Sequence, residues 1–328
     1  MVEDAGRLQD QVVAVTGALG FVGRQVVDLL TQAGAHVIAV HRPGEISGAA
    51  GELGEPVCLD LESGDNLGEV LSGVGLVVHL AARSGGVQFQ GVDNAGILES
   101  NTTITANVLR AATEAGVARV FLASSGVVYA PTTDSLLDES HPTLRPGVDA
   151  VTGYAWSKLT DEVAASWVVA GSQTQVVIGR FDNIYGPSGD DDPSRSTVVH
   201  ALVRRALDAG PRRELTVWGD GTQVRSFIHV EDAARAALTV LLSGDSGTTY
   251  NISSSGPIAI GALAEMIRQT VDPSLCLRFN PLGPKGEPVR VLDNSQLLAL
   301  GYRPRISLSD GVRQTVASFA QRGARQED

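Results

Sequence analysis

The stretch Val12 to Gly23, VVAVTGALGFVG, constrains the fold of this 328-residue chain more than any other. An apolar run leads into Thr16-Gly17, further glycines stand at Gly20 and Gly23, and an amphipathic segment follows from Arg24 to Ala33. The pattern is strand, tight turn, helix. Such a turn uses glycine for three reasons: positive φ at the bend, close approach of backbone to a pyrophosphate, and close packing of helix on strand. The helix N-terminus then offers unpaired N–H groups and a positive dipole end to phosphates. The spacing is G-x-x-G-x-x-G, one residue longer in its first gap than G-x-G-x-x-G. With 37 glycines in the chain, a plain strand-to-helix turn is the competing reading.

Strands and helices are expected to alternate beyond it. The spacing predicts strands over His36–Val40, Pro56–Leu61, Gly75–Ala82, Arg119–Ala123 and Val176–Phe181, and helices over Glu99–Ala115 and Tyr154–Ala170. Gly91 to Leu98 reads as a glycine-bearing loop, Val224–Val230 as one short strand, and Glu231–Leu242 as a helix with an acidic start. This is an α/β chain, a Rossmann-type doubly wound parallel sheet with a smaller C-terminal lobe. Residues 1–181 plus about 223–243 are expected to form the first lobe, and about 182–222 plus 244–328 the second.

Formal net charge is −12, so the overall field repels a phosphate backbone and argues against nucleic-acid binding. Cys58 and Cys276 lack metal-ligand spacing and read as free thiols of a reducing compartment; no metal site is expected. No run of eighteen apolar residues exists and the N-terminus is acidic, which predicts a cytoplasmic chain without a membrane span.

The sharpest local signal is Tyr154-Ala155-Trp156-Ser157-Lys158. Tyr and Lys at i and i+4 project from one helix face, so the ammonium favours the ionised phenol and can hold a cofactor ribose. Ser124-Ser125 ends a predicted strand, where open α/β sheets place their chemistry. Ser125, Tyr154 and Lys158 together make a proton-relay site in which Ser125 orients a carbonyl oxygen and Tyr154 acts as acid or base. With the glycine turn, these residues resemble the short-chain dehydrogenase/reductase superfamily. That resemblance implies that Asn101 supports the lysine. It also implies a dinucleotide against Gly17, Gly20, Phe21, Val22 and Gly23, with adenine near Asp60 and Leu61 and the nicotinamide side lined by Leu80, Ala81, Ala82, Tyr154 and Lys158. An NAD-preferring site carries a carboxylate about twenty residues beyond the glycines. Here the stretch reads His41-Arg42, and a guanidinium suits a 2′-phosphate. NADP(H) is therefore expected, with NAD(H) as the alternative.

The second half carries Asp182-Asn183-Ile184-Tyr185-Gly186-Pro187, Val217-Trp218-Gly219-Asp220-Gly221, Arg225-Ser226-Phe227-Ile228-His229-Val230, and Val289-Arg290. These resemble the extended, nucleotide-sugar-modifying branch of the superfamily, and more closely the GDP-fucose synthase and GDP-mannose 3,5-epimerase families. The resemblance implies a nucleoside-diphosphate sugar held by Arg83, Ser84, Gly85, Val127, Asn183, Val198, Leu202, Arg205, Val217, Trp218, Arg225 and Arg290, with Asn183 and the last two arginines on the diphosphate. It also implies a homodimer packed through the helices 101–115 and 154–170. The departures narrow the chemistry. The 3,5-epimerising families use a cysteine where this chain has Val127; the synthase adds a histidine where this chain has Thr197, and the lysine of the mannose epimerase has no clear counterpart near Gly189 to Arg195. The dehydratases place Asp-Glu after the catalytic hydroxyl, where this chain has Gly126-Val127. What remains is reduction of a 4-keto sugar, or C4 epimerisation through a transient ketone. A non-catalytic nucleotide-binding protein has no need of the Tyr154–Lys158 pair, and a hydrophobic-ketone dehydrogenase has no need of Arg225 and Arg290.

Overall fold

A computed structural model describes residues 5–45, 54–85, 93–132, 134, 136–149, 151–189, 196–210, 213–254, 256–282 and 287–326. Its strands are β1 Val12–Thr16, β2 His36–His41, β3 Glu55–Cys58, β4 Leu76–His79, β5 Arg119–Ser125, β6 Gln175–Phe181, β7 Asn183–Tyr185, β8 Glu214–Trp218, β9 Val224–Arg225, β10 Phe227–His229, β11 Thr249–Ile252, β12 Ile258–Ala259, β13 Cys276–Asn280 and β14 Val289–Arg290. The helices are α1 Phe21–Gln32, α2 Leu67–Val70, α3 Asn94–Glu114, α4 Gly153–Gly171, α5 Val198–Leu207, α6 Val230–Ser243, α7 Ile260–Val271, α8 Ser295–Ala299 and α9 Leu308–Gln326.

Runs such as Val13-Ala14-Val15 and Val176-Val177-Ile178 have no polar side, so their strands need cover on both faces, which a parallel sheet with crossover helices supplies. Seven parallel strands in the order β11-β6-β5-β4-β1-β2-β3 satisfy this. On one face α1 and α6 pack Val26, Val27, Leu30, Ala233, Ala237 and Leu241 into the core. On the other, α2, α3 and α4 contribute Leu67, Ile104, Val108, Ala112 and Ala165. Strand order reverses between β1 and β4, and that reversal opens a crevice at their carboxyl ends. A third core, built by Val199, Leu202, Val203, Leu215, Val217, Leu263, Ile267, Val312 and Phe319, belongs to a second lobe made of α5, α7, α9 and the pair β8–β13.

Several boundaries differ from expectation. Helix α1 begins at Phe21, because Gly20 is extended and the chain turns helical directly after it. Helix α3 begins at Asn94 rather than Glu99, because the Asp93 side chain accepts from the Gly96 N–H and caps it. Of the expected loop Gly91 to Leu98, residues 91–92 lie outside the described residues, and Asn94 onward is helix. β3 stops at Cys58 and β4 at His79, leaving Asp60–Leu61 and Leu80–Ala82 beyond the strand ends. The segment 224–230 is broken at Ser226 into β9 and β10, which join different sheets. Thr249–Ile252, expected in the second lobe, pairs with β6 as the edge strand of the main sheet.

The turn after β1 shows why glycine is needed. Gly17 has φ +69°, and a Cβ there would lie 2.9 Å from the Ala81 nitrogen. At Gly23 a Cβ would lie 2.0 Å from the Gly17 carbonyl oxygen. In an open helix Gly→Ala gains stability, but here the added methyl must push α1 off the turn. Gly23→Ala is expected to cost about 1–3 kcal/mol of unfolding free energy, measured by urea denaturation, and to weaken dinucleotide binding in the same preparation.

Candidate active site

Whether a dinucleotide fits the crevice can be tested on the turn itself. A Cβ at Gly17, Gly20 or Gly23 would lie 3.0 Å or less from neighbouring backbone. No side chain caps the N-terminus of α1, so its first N–H groups face the crevice, as anion binding requires. The Ala18 N–H donates to the Val40 carbonyl, which holds the turn against the end of β2. Phe21 and Val22 occupy the first turn of α1, half-buried. Leu80, Ala81 and Ala82 follow β4 directly beside Gly17. The residues present fit a dinucleotide with its pyrophosphate on α1.

At the far side of β2, His41 is buried with its Nδ1 3.2 Å from the Arg42 carbonyl oxygen. The Arg42 side chain is exposed and pairs with Glu45, Nε to Oε1 3.1 Å. Asp60 accepts from the Glu62 N–H at 2.9 Å, ordering the turn after β3, while Leu61 is buried in the core.

Of the three residues expected to form the relay, Ser125 ends β5 and Lys158 is tied to that strand, with Tyr154 one helical turn before Lys158. Ser125 is the last residue of that strand, and its Oγ accepts from the Val127 N–H at 3.4 Å. Tyr154 and Lys158 lie one turn apart in α4, which Thr152 caps. Lys158 is buried and its Nζ donates to the Ala123 carbonyl at 2.9 Å, tying α4 to the strand that presents Ser125. The start of α4 is strapped to α3. The Gly153 N–H donates to Asn94 Oδ1 at 2.7 Å, and a Cβ on Gly153 would lie 1.9 Å from the Asn94 carbonyl oxygen. Asn101 is buried and bridges three segments. Its Oδ1 accepts from the Arg83 N–H at 2.7 Å, and its Nδ2 donates to the Arg83 carbonyl and to Ser157 Oγ. Asn101 therefore fixes the loop after β4 and the helix turn of Lys158.

Sequence reasoning missed a layer of buried polar groups beneath these residues. Glu162 receives a two-pronged pair from Arg180, Nε at 2.9 Å and Nη2 at 2.7 Å, and also takes the Ser124 hydroxyl. Arg180 stacks on Tyr129, whose hydroxyl donates to Asn251 at 2.6 Å. His79 sits between Thr16 and Thr105, and burial, then the Lys158 charge, pushes its pKa down to about 3. Asp182 accepts from Ser226 and Ser253, and burial pushes its pKa up to about 6. A polar residue inside an apolar run, such as His79 in VVHLAA, is the one signal that could have found them.

Of the expected sugar-side residues, Arg83 pairs with Asp93 at 3.3 Å, Ser84 is exposed, and Gly85 is half-buried. Val127 is half-buried in the turn after Ser125. Asn183 donates to Asp182 and to the Ser226 carbonyl. Arg225 donates to the Val224 and Glu287 carbonyls, and burial, with Arg290 beside it, lowers its pKa. Arg290 forks onto the Glu287 carboxylate with two bonds of 2.8 Å and donates to the Gly126 carbonyl at 2.7 Å, which carries the second lobe to the reactive strand. Arg205 stacks 4.2 Å over the exposed Trp218 ring. Leu202 and Val217, expected toward the nucleotide, are 1% and 0% exposed, and their side chains belong to the second lobe's core. Strand alternation is the reason: with Leu215 and Val217 inward, Thr216 and Trp218 face out. Val198 is half-buried against the same core.

Among the described residues no cluster of metal-ligating side chains occurs, and no helix is long and apolar enough to cross a membrane. Comparison with known proteins shows the family. The chain is 31% identical over 324 residues to dTDP-4-dehydro-6-deoxy-D-allose reductase of Streptomyces bikiniensis, covering 96% of this chain and 98% of that one. It is 33% identical over 309 residues to GDP-mannose 3,5-epimerase 1 of Oryza sativa subsp. japonica, covering 92% and 80%. The dTDP-glucose 4,6-dehydratase DesIV of Streptomyces venezuelae, solved with NAD and TYD bound, superposes with a TM-score of 0.82 at 28% identity over 96% of this chain and 98% of that one. These relatives are reductases, epimerases and dehydratases acting on nucleotide sugars. Residues 13–253 match the family described as NAD dependent epimerase/dehydratase, and the chain belongs to that family of enzymes.

Proposed function

We propose that this enzyme is an NADPH-dependent 4-ketoreductase acting on a nucleoside-diphosphate 4-keto-6-deoxyhexose. The observation that carries the reading is a relay reduced to hydride-transfer chemistry. Ser125, Tyr154 and Lys158 gather at the end of β5, and the two positions after Ser125 are Gly126 and Val127. Neither can eliminate water or exchange a proton at C3 or C5, since both steps need an acid or base next to the ring. The likeness to a dTDP-4-dehydro-6-deoxy-D-allose reductase over nearly the full length of both chains supports the same reading.

A nicotinamide held beside Leu80, Ala81 and Ala82 would supply the hydride for sugar C4. The ketone oxygen accepts from the Ser125 hydroxyl and the Tyr154 phenol, and Tyr154 gives up its proton as charge develops there. Lys158, held by the Ala123 carbonyl, steadies the phenolate that results and a ribose hydroxyl. Gly17, Gly20, Phe21, Val22 and Gly23 take the pyrophosphate, Asp60 and Leu61 border the adenine, and Leu80 to Ala82 border the nicotinamide side. Arg225, Arg290 and Asn183 take the sugar diphosphate, while Arg205 and Trp218 border the base.

One observation favours a second reading, an NAD-retaining C4 epimerase. The Arg42 guanidinium is paired with Glu45, and that carboxylate offsets part of the attraction for a 2′-phosphate. Cofactor titration separates the two. For the reductase, NADPH binds about tenfold or more tightly than NADH, and Arg42→Ala removes most of the difference without weakening NADH. Stoichiometric NAD in the purified protein, with indifference to NADPH, establishes the epimerase instead.

Tyr154→Phe is expected to lower kcat on a dTDP-4-keto-6-deoxyhexose by about 10²- to 10⁴-fold, with NADPH affinity changed little. Retained turnover in that variant overturns the site reading. We further propose a cytoplasmic homodimer joined through α3 and α4, because Trp167 and Val163 on α4 are 74% and 50% exposed. Trp167→Glu is expected to convert a dimer to a monomer in sedimentation velocity, leaving the thermal transition of each subunit present.

A further inference from the structure

A buried polar cluster lies between the end of β1 and Lys158. Thr16 Oγ1 lies 2.7 Å from His79 Nδ1, and His79 Nε2 lies 3.1 Å from Thr105 Oγ1. Lys158 Nζ donates to Asp161 Oδ2 at 3.4 Å, and Thr105 favours the ionised form of the same carboxyl. These five side chains, from β1, β4, α3 and α4, are each 3% exposed or less.

His79 stays neutral under burial and the nearby Lys158 charge, so its ring has one N–H and donates to one threonine while accepting from the other. The donor that reaches Asp161 is Lys158. A donor aimed at a carboxylate favours its ionised form. Burial pushes the Asp161 carboxyl upward, and Lys158 and Thr105 pull it back. The other charged group beside it, Glu162, is committed to Arg180 and Ser124. Tyr154 lies one turn before Lys158 on the same helix.

Asp161 is a poor way to stabilise a fold. Its Oδ1 has no hydrogen-bond partner among the described residues, and a buried ion pair is commonly matched or exceeded in stability by well-packed apolar side chains. Its position relative to Lys158 is what it contributes. We propose that Asp161 is a positioning residue for Lys158: its carboxylate is the counter-ion that, with the Ala123 carbonyl, fixes the ammonium under Tyr154 and sets the charge that Tyr154 meets. The functional meaning rests on the Tyr154–Lys158 reading above; the contact itself can be tested without turnover.

The chain has two lysines, Lys158 and Lys285. In Lys285→Arg protein labelled with ¹³C at the lysine ε-carbon, one lysine signal remains, and its pH titration reports Lys158 alone. Asp161→Asn and Asp161→Leu in that background are each expected to lower the midpoint by about one pH unit or more. The Leu variant serves where the Asn variant does not fold. On a dTDP-4-keto-6-deoxyhexose, kcat is expected to fall about tenfold while KM changes less than about twofold. A midpoint unchanged in a folded variant overturns the proposal, even where Tyr154→Phe abolishes turnover and the site reading stands. A midpoint that falls while Tyr154→Phe keeps full turnover retains the contact and removes the site reading.

Discussion

The site depends on how closely the glycine turn is pressed against the end of β4. A Cβ on Gly17 would stand 2.9 Å from the Ala81 nitrogen, so the two backbones meet with no side chain between them. β1 is hydrogen-bonded to β2 on one side and β4 on the other, and the turn therefore inherits its position from the centre of the sheet. The first N–H groups of α1, the chain after β4 and the end of β2 converge on one crevice for that reason. Gly23 completes the arrangement by letting α1 rest on the Gly17 carbonyl.

Across the crevice the chemistry is placed by buried polar contacts, not by loops. Lys158 is anchored on β5, Asn101 ties α3 to the Arg83 backbone, and Asn94 holds the first turn of α4. Lys158 and Asn101 are buried, which costs free energy, and the cost is offset only where the partners are complete. The Arg180–Glu162 pair, with Ser124 and Tyr129, is of that kind. It links β6, α4 and β5 under the reactive strand, so the relay residues stand on a rigid base. Preorganisation of this sort lets a phenol and a hydroxyl meet a developing oxyanion without rearrangement.

The glycine turn and the Tyr154–Lys158 pair were legible in sequence because each is fixed by local geometry: a φ only glycine adopts easily, and an i, i+4 helix spacing. Element ends were less legible, since they hang on single caps such as Asp93 on Gly96. The core burial of the Leu202 and Val217 side chains was not legible in a family pattern, which gives positions without parity; the alternation of Leu215 and Val217 in Leu215-Thr216-Val217-Trp218 carried that of Val217. The place of Thr249–Ile252 in the sheet could not be read locally, because its partner is Gln175–Phe181. The burial of Asp161 was likewise invisible, since it is enclosed by elements far away in sequence.

The second lobe poses an electrostatic problem whose form points to its ligand. Arg225 and Arg290 lie near enough that Arg290 lowers the pKa of Arg225, beyond what burial alone does. Glu287 is the carboxylate between them: it takes the fork of Arg290 and its carbonyl takes Arg225. Asp182 acts on Arg225 as well, so two carboxylates offset the two guanidiniums in a chain whose formal net charge is −12. Such a chain repels diffuse polyanions, which meet the overall field first, and a compact anion that displaces Glu287 from Arg290 is the form of ligand a guanidinium pair suits. A diphosphate, as proposed above, has that shape and charge. Because Arg290 also donates to the Gly126 carbonyl, a diphosphate held there would act on the backbone next to Ser125, and its binding energy would reach the proposed reacting carbonyl through one side chain.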